Sequence, residues 1–111
     1  MEECIFCKIV RGKIPAAIVY ESSDALAFED VNPMAPVHVV VVPKKHVATL
    51  MDVPDGMMDS LMMAARNVAE LKGIAATGFR TVINCNKEGG QVIFHLHVHV
   101  LGGRKLNDEM G

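Results

Sequence analysis

The chain has 111 residues, which is enough for one hydrophobic core and too few for two ordinary domains, so residues 1–111 are expected to form a single domain. Half of the residues are hydrophobic and 22% are charged, a globular composition without the signature of a disordered tail. The net charge of -2 argues against a nucleic-acid-binding protein but allows a nucleotide-sized ligand. No hydrophobic run approaches the ~20 residues that span a bilayer, which excludes a membrane-spanning protein.

The start of the chain, Met1–Glu3, is acidic where a signal peptide would be basic, and no long apolar run follows it. We therefore expect a cytoplasmic protein. The next stretch, Ile5–Val10, is short, hydrophobic and basic, and Gly12 and Pro15 follow it. This pattern predicts one or two helical turns that act as a lid or cap.

Three strands are predicted in the first half of the chain. Ile18–Glu21 and Ala25–Glu29 are short apolar runs separated by Ser22–Asp24, the pattern of a hairpin. A loop with two prolines follows. His38–Pro43 is β-branched almost throughout, which predicts a central strand buried on both faces.

The second half of the chain predicts one long helix and two more strands. Apolar residues follow helical spacing from Asp55, and Gly73 is placed to end the helix. The strand candidates are Phe79–Cys85 and Phe94–Leu101. Short loops favour antiparallel pairing, because parallel strands need a long crossover. The sequence thus predicts an α+β domain with a five-stranded antiparallel sheet, one long helix and a short N-terminal helix.

The most informative motif is His95-x-His97-x-His99, in which the intervening residues are aliphatic. Alternate side chains of a strand point to one face, so the three imidazoles are expected to share a face while the aliphatic residues hold the strand on the core. They could be solvated or hydrogen-bonded residues without chemistry. They could also ligate zinc in a hydrolase that keeps one coordination position open for water.

We favour a third interpretation, in which an imidazole attacks phosphorus while its other nitrogen is held as a donor. The central residue, His97, is best placed for this role. Its neighbours could donate to phosphate oxygens or protonate the leaving group.

These residues carry a resemblance to the Hint branch of the histidine triad (HIT) superfamily, whose signature alternates three histidines with apolar residues. His95–Leu101 fits this signature throughout. The similarity runs nearly from end to end and includes the following segments: Cys4–Val10, Phe28–Val31, Val42–His46, Gly89–Gln91 and His99–Arg104.

The resemblance implies hydrolysis or nucleotidyl transfer at the α-phosphorus of a purine nucleotide derivative, such as a nucleoside phosphoramidate or a mixed anhydride. The intermediate would be a nucleotidyl group on His97, with His99, His95 and His38 assisting and no catalytic metal. It also implies an AMP- or GMP-type ligand and a homodimer whose sheets join into ten strands, which exposed strand edges make plausible. The dinucleoside polyphosphate hydrolases of the same superfamily are an alternative.

The resemblance also assigns a nucleotide site. Asp30 would accept the ribose hydroxyls, and the other positions implied near ribose and phosphate are Asn84, Gly90, Gln91, Val92, His97 and His99. Each has a simpler explanation beside it. Asp30 can be a loop-starting residue, His38 a residue at the start of a strand, and Gly89-Gly90 a plain hairpin loop.

One position departs from the family pattern, because Val92 stands where relatives often carry a hydroxyl residue. Valine offers only its main-chain N–H there. We therefore expect stabilisation of the leaving group to be weaker by about 1–2 kcal/mol. This departure keeps open a protein of another class, a nucleotide-binding interaction module with little turnover.

The three cysteines, Cys4, Cys7 and Cys85, are more consistent with thiols or metal ligands than with a disulfide framework. Cys4-x-x-Cys7 has the spacing of half a tetrahedral zinc site. The resemblance supplies His46 and His95 as the other two ligands of a structural zinc, which would leave His97 and His99 free for chemistry. The alternative is a pair of small, partly buried residues in a capping helix.

Overall fold

The structure, a computed structural model, describes residues 3–111; Met1 and Glu2, which belong to the acidic start of the chain, lie outside the described residues. The strands are β1 (Ile18–Glu21), β2 (Ala25–Glu29), β3 (Val37–Pro43), β4 (Phe79–Val82) and β5 (Val98–Gly102). They form one antiparallel sheet in the order β1-β2-β3-β5-β4. The helices are α1 (Ile5–Val10), α2 (Met57–Leu71) and a short 3-10 helix (Leu50–Asp52). The predicted α+β class and its five-stranded sheet are confirmed.

The central strand β3 is buried on both faces, as its sequence predicts. Val39 and Val41 belong to the core beneath α2. Val40 and Val42 point to the other face, where they pack in a second cluster with Phe6 of α1. Because both faces are covered, β3 shows no alternation of apolar and polar residues.

The long helix α2 packs on the sheet through a stripe of buried small and aliphatic residues: Leu61, Ala64, Ala65, Val68 and Ala69. The alanines let the helix axis approach the strands closely. After Lys72 the chain turns through Gly73, whose φ of +72° lies in the left-handed region that favours glycine. The predicted end of the helix is thus confirmed, and its start lies two residues later than Asp55. No helix among residues 3–111 is long and apolar enough to cross a membrane.

The last two strands are shorter than predicted. β5 begins at Val98 rather than at Phe94, so His95 and His97 lie before the strand and only His99 lies in it. The ladder between β3 and β5 ends at the pair Val41 and Val98. The reason lies in the end of β3, because Pro43 has no N–H to donate and its carbonyl accepts instead from the ring of His95, with 2.9 Å between Nε2 and the oxygen.

The same displacement shortens β4. Its last residue, Val82, pairs with His99. The predicted continuation to Cys85 has no strand partner among residues 3–111, because the segment before Val98 has left the sheet. The main chain there bonds elsewhere, with the N–H of Leu96 donating to the carbonyl of Val47 over 2.7 Å.

Candidate active site

The imidazole of His97 is held in one orientation by the main chain two residues earlier. Its Nδ1 lies 2.8 Å from the carbonyl oxygen of His95, so Nδ1–H donates and Nε2 keeps its lone pair. The side chain is only 8% exposed. Phe6 packs edge-to-face against it, with ring centroids 5.1 Å apart. This arrangement presents one nucleophilic nitrogen with a fixed tautomer.

A chain of hydrogen bonds gives His99 the other tautomer, with its proton on Nε2 and not on Nδ1 as in His97. The N–H of Met34 donates to Nδ1 of His38 over 3.0 Å, so neutral His38 carries its proton on Nε2. That proton is donated to Nδ1 of His99, 2.9 Å away. The remaining nitrogen of His99, Nε2, is therefore a donor.

Both members of this pair favour the neutral form. Burial lowers the pKa of His38, and the carboxylate of Asp30 opposes that shift. Burial also lowers the pKa of His99 to about 4, assisted by His97 and His38 and opposed by Asp30. At neutral pH His99 is thus a hydrogen-bond donor and not a cationic acid.

Asp30 lies at the edge of this group. Its Oδ2 is 3.3 Å from Nε2 of His38, and its Oδ1 accepts the N–H of Asn32 over 2.8 Å. The second contact is the loop-starting role that the sequence allows as the simpler explanation. Asp30, His38 and His99 bring one ligand atom each within 4.8 Å of one another. The bond from Met34 leaves Nε2 of His38 protonated, however, so Met34, His38 and His99 form a relay of hydrogen bonds with Asp30 beside it, and not a ready metal site.

The loop between β4 and the histidines is built around its own main chain. A Cβ on Gly89 would lie 2.5 Å from the carbonyl oxygen of Cys85, so only glycine fits there. Gly90 has a φ of +87°, and its N–H donates to Lys87 within the loop. Loop geometry therefore accounts for both glycines. Asn84 lies half-buried two residues beyond β4, and the Val92 side chain is 86% exposed.

Gln91 does not direct its side chain outward, although the resemblance implies a position near the nucleotide. It is only 6% exposed, and both ends of its amide bond to the main chain. Phe6 is a site residue that the sequence motifs do not single out. Its place between Cys4 and Cys7 is the available signal, because α1 turns the buried Phe6 and Cys7 toward the histidines.

A second cluster lies beside the triad and consists of Cys4, Cys7, His46 and His95, whose ligand atoms all lie within 4.8 Å of one another. The two Nδ1 atoms are 3.2 Å apart. The sulfur-to-nitrogen distances are 3.3 Å from Cys7 to His46, 3.4 Å from Cys4 to His95 and 3.5 Å from Cys7 to His95. A tetrahedral zinc holds two imidazole nitrogens ~3.4 Å apart and a nitrogen and a sulfur ~3.6 Å apart, so this donor set fits it.

The protonation of this cluster also suits a metal. Nε2 of His95 donates to Pro43, which directs the lone pair of Nδ1 toward the thiols. Burial lowers the pKa of His95, a fully buried residue, and keeps it neutral. Burial raises the pKa of the Cys7 thiol, and its contact with Cys4 adds to the shift. A metal would therefore displace a proton from Cys7 on binding.

The triad is thus divided between two sites. His97, His99, His38 and Asp30 converge on one side, while His95 turns its ring to the thiols and to His46. The prediction that the three imidazoles share one face of a strand is wrong for His95 and His97, since both precede β5.

The chain is similar to known proteins along almost its whole length. The HIT domain family model matches residues 11–106. The purine nucleoside phosphoramidase of Escherichia coli K12 is 41% identical over 108 residues, which cover 95% of this chain and 91% of that protein. An uncharacterised HIT-like protein of Synechocystis is 51% identical over 109 residues, covering 96% and 95% of the two chains.

Two solved structures share the fold. A HIT family hydrolase from Legionella pneumophila superposes with a TM-score of 0.94 at 42% identity, covering 98% of this chain and all of that one. A histidine triad protein from Clostridium difficile gives a TM-score of 0.93 at 47% identity, with coverage of 99% and 98%.

Proposed function

The chain belongs to the HIT domain family, and from this premise we propose that it hydrolyses nucleoside phosphoramidates and related mixed anhydrides of purine nucleotides at the α-phosphorus. The relative named purine nucleoside phosphoramidase supports this substrate class. The observation that carries the proposal is the hydrogen bond of 2.8 Å between Nδ1 of His97 and the carbonyl oxygen of His95, because in the neutral ring it places the proton on Nδ1 and leaves Nε2 as the nucleophile.

In the first step Nε2 of His97 forms a bond to phosphorus and the P–N bond to the leaving amine breaks. The amine departs with a proton drawn from water, because neutral His99 can donate a hydrogen bond but no proton from a cationic ring. Nε2–H of His99 would stabilise a phosphate oxygen. In the second step water attacks phosphorus and passes a proton to the hydroxide left by the first step, the bond to Nε2 of His97 breaks, and the nucleoside monophosphate leaves.

The remaining residues of the proposed site bind the nucleotide. Asp30 would accept hydrogen bonds from the ribose hydroxyls through Oδ2 and would then give up its contact with His38. Asn84, Gly90 and Val92 would flank the ribose and phosphate. The main-chain N–H of Val92 is the donor we expect to face the phosphate, since the N–H of Gly90 is used within the loop.

The test is turnover of adenosine 5′-phosphoramidate by the wild-type chain and by His97→Ala. We expect release of AMP by the wild type and a loss of at least ~10³-fold in the variant. Equal rates for the two proteins would refute His97 as the nucleophile. Diadenosine polyphosphates in the same assay test the alternative, because a dinucleoside polyphosphate hydrolase would cleave them faster than the phosphoramidate.

Two other functions are less well supported. A nucleotide-binding interaction module is favoured only by Val92, and it predicts AMP binding without turnover. A zinc-dependent hydrolase would need the three triad imidazoles to face one ion, but both nitrogens of His95 face other groups, Nδ1 the thiols and Nε2 the carbonyl of Pro43. Chelation that leaves the fold intact should therefore leave turnover intact.

We further infer that Cys4, Cys7, His46 and His95 bind a structural zinc. The four donors would close the coordination sphere, so the metal would fasten α1 to the end of β3 without contacting substrate. We also infer a homodimer, because β1 and β4 are the edges of the sheet and an exposed edge can pair with a second copy. Light scattering that gives the mass of one chain would refute the dimer.

A further inference from the structure

The side chain of Gln91 is a buried amide that joins three segments of the chain. Its Oε1 accepts the N–H of Asn86 over 2.9 Å. Its Nε2 donates to the carbonyl of Ala48 over 2.8 Å and to the carbonyl of Ile93 over 3.1 Å. One residue therefore ties the loop after β4 to the segment after β3 and to the segment that leads into the histidines.

The histidine segment needs such support because the sheet does not supply it. The ladder of β5 begins at Val98, so within the described part of the chain no strand pairing holds the main chain around His97. Outside the ladder, the bond from Leu96 to Val47 holds this segment from one side. The bonds from Gln91 hold Ala48, the neighbour of Val47, and Ile93, two residues before His95. The hydrogen bond from Leu96 and the hydrogen bond from Gln91 thus both end on the segment of Val47 and Ala48.

We propose that Gln91 is a positioning residue that sets the place of His97 through the main chain at Ala48 and Ile93. Both amide hydrogens and the amide oxygen bond to main chain and the residue is buried, so its side chain does not contact the nucleotide. The kinetic test of this proposal rests on the proposed function. The structural test rests only on the hydrogen bonds of Gln91. It replaces the role near ribose or phosphate that the resemblance implies for this glutamine.

The test is Gln91→Glu, which keeps the length and the acceptor but cannot donate to two carbonyls when ionised. We expect the amide of Leu96 to exchange with solvent at least tenfold faster, measured by NMR, while the amide of Val68 in α2 keeps its rate. With adenosine 5′-phosphoramidate, kcat should fall at least tenfold and KM should change less than threefold.

Asn67→Asp is the matched control, because it also turns an amide into a carboxylate and removes a hydrogen bond that the amide donates, here from Nδ2 to the Tyr20 hydroxyl. It lies on α2, away from the histidines, and should keep kcat even if Tm falls. Gln91→Met, which is neutral and cannot donate, replaces Gln91→Glu if the charge prevents folding.

Unchanged exchange at Leu96 in a folded variant would overturn the proposal, whatever the enzyme does. Faster exchange with unchanged kcat would also overturn it, since Gln91 would then support only the fold. A change confined to KM would show that the side chain contacts the ligand. If the wild type releases no AMP, the proposed function fails, and exchange at Leu96 still decides whether Gln91 holds the segment.

Discussion

The carbonyl of His95 accepts a hydrogen bond from His97 over 2.8 Å, while the ring of His95 faces the Cys4 and Cys7 thiols. One residue therefore belongs to two sites. Its side chain is a ligand of the proposed zinc, and its main chain fixes the tautomer of the proposed nucleophile. His95 therefore cannot be the nucleophile of the triad. An imidazole that ligates a metal through one nitrogen and donates to Pro43 through the other has no nitrogen left to attack phosphorus.

Loss of one thiol should empty the proposed zinc site. In Cys7→Ser we expect bound zinc to fall from about one per chain to near zero, because three ligands hold the ion much more weakly than four. The free energy of unfolding should fall by at least about 2 kcal/mol. Metal analysis by mass spectrometry and thermal unfolding would measure the two effects.

Cys85→Ser is the control, because Cys85 lies outside the cluster and should retain both zinc and Tm. Wild-type protein that is purified without chelators and carries no zinc would contradict the assignment.

The sequence predicts most of the fold because its signals are local. The β-branched run of β3 and the helical spacing of α2 each identify an element without knowledge of its neighbours. The ends of β4 and β5 depend instead on tertiary contacts. Alternation continues through His95 and Leu96, but the ring of His95 takes the carbonyl of Pro43 and Leu96 bonds to Val47, so pairing stops at Val98.

The sequence predicts the residue types of the candidate site but not which of these side chains contact one another. Three alternating histidines indicate chemistry, yet only the folded chain brings His38 within 2.9 Å of His99 across 61 residues. Gln91 illustrates the opposite case. The resemblance implies that its side chain lies near ribose or phosphate, whereas in the fold the buried amide bonds to three main-chain partners.

His38 should control turnover through the tautomer of His99. In His38→Leu the donor to Nδ1 of His99 is lost, so the proton of His99 is no longer held on Nε2, where it would face the phosphate. We expect kcat to fall about 10–100-fold, which is less than the ~10²–10³-fold cost of removing such a donor outright, because the His99 ring stays in place. His38→Gln, whose amide can donate at a similar reach, should recover part of the loss.

Kinetics with adenosine 5′-phosphoramidate and ¹⁵N NMR of the His99 ring would test this together. A His99 ring that keeps its proton on Nε2 in His38→Leu would contradict the relay.

The depressed pKa of His99 predicts a loss of stability in acid. Its pKa is about 4 in the fold and ordinarily 6.5, so the unfolded chain binds the proton more readily between these values. The contribution of His99 to the free energy of unfolding is fully present above pH 6.5. It falls as the pH drops toward 4, by at most about 1.4 kcal/mol per pH unit for one proton. His38, whose pKa is also lowered, adds to the slope, and Asp30 reduces it.

Thermal unfolding of wild type and of His99→Gln between pH 7.5 and 4.5 would measure this contribution. The variant should lose less Tm over that range, and parallel curves for the two proteins would contradict the assignment.

Val92 is the position where a single change should raise activity. Its side chain is 86% exposed, so a smaller polar residue costs little packing. In Val92→Ser a hydroxyl would stand beside the proposed phosphate site and could stabilise the leaving group. A hydrogen bond worth about 1–2 kcal/mol in the transition state corresponds to a rise of about 5–30-fold in kcat.

The gain should be largest for substrates whose leaving amine is a poor one, because bond breaking then limits the rate. Val92→Ala is the matched control, since it removes the same bulk and supplies no hydroxyl. Equal rates for the serine and alanine variants would mean that residue 92 does not reach the leaving group. A wild type without turnover that gains it only as Val92→Ser would instead identify the valine as the residue that makes this chain a binding module.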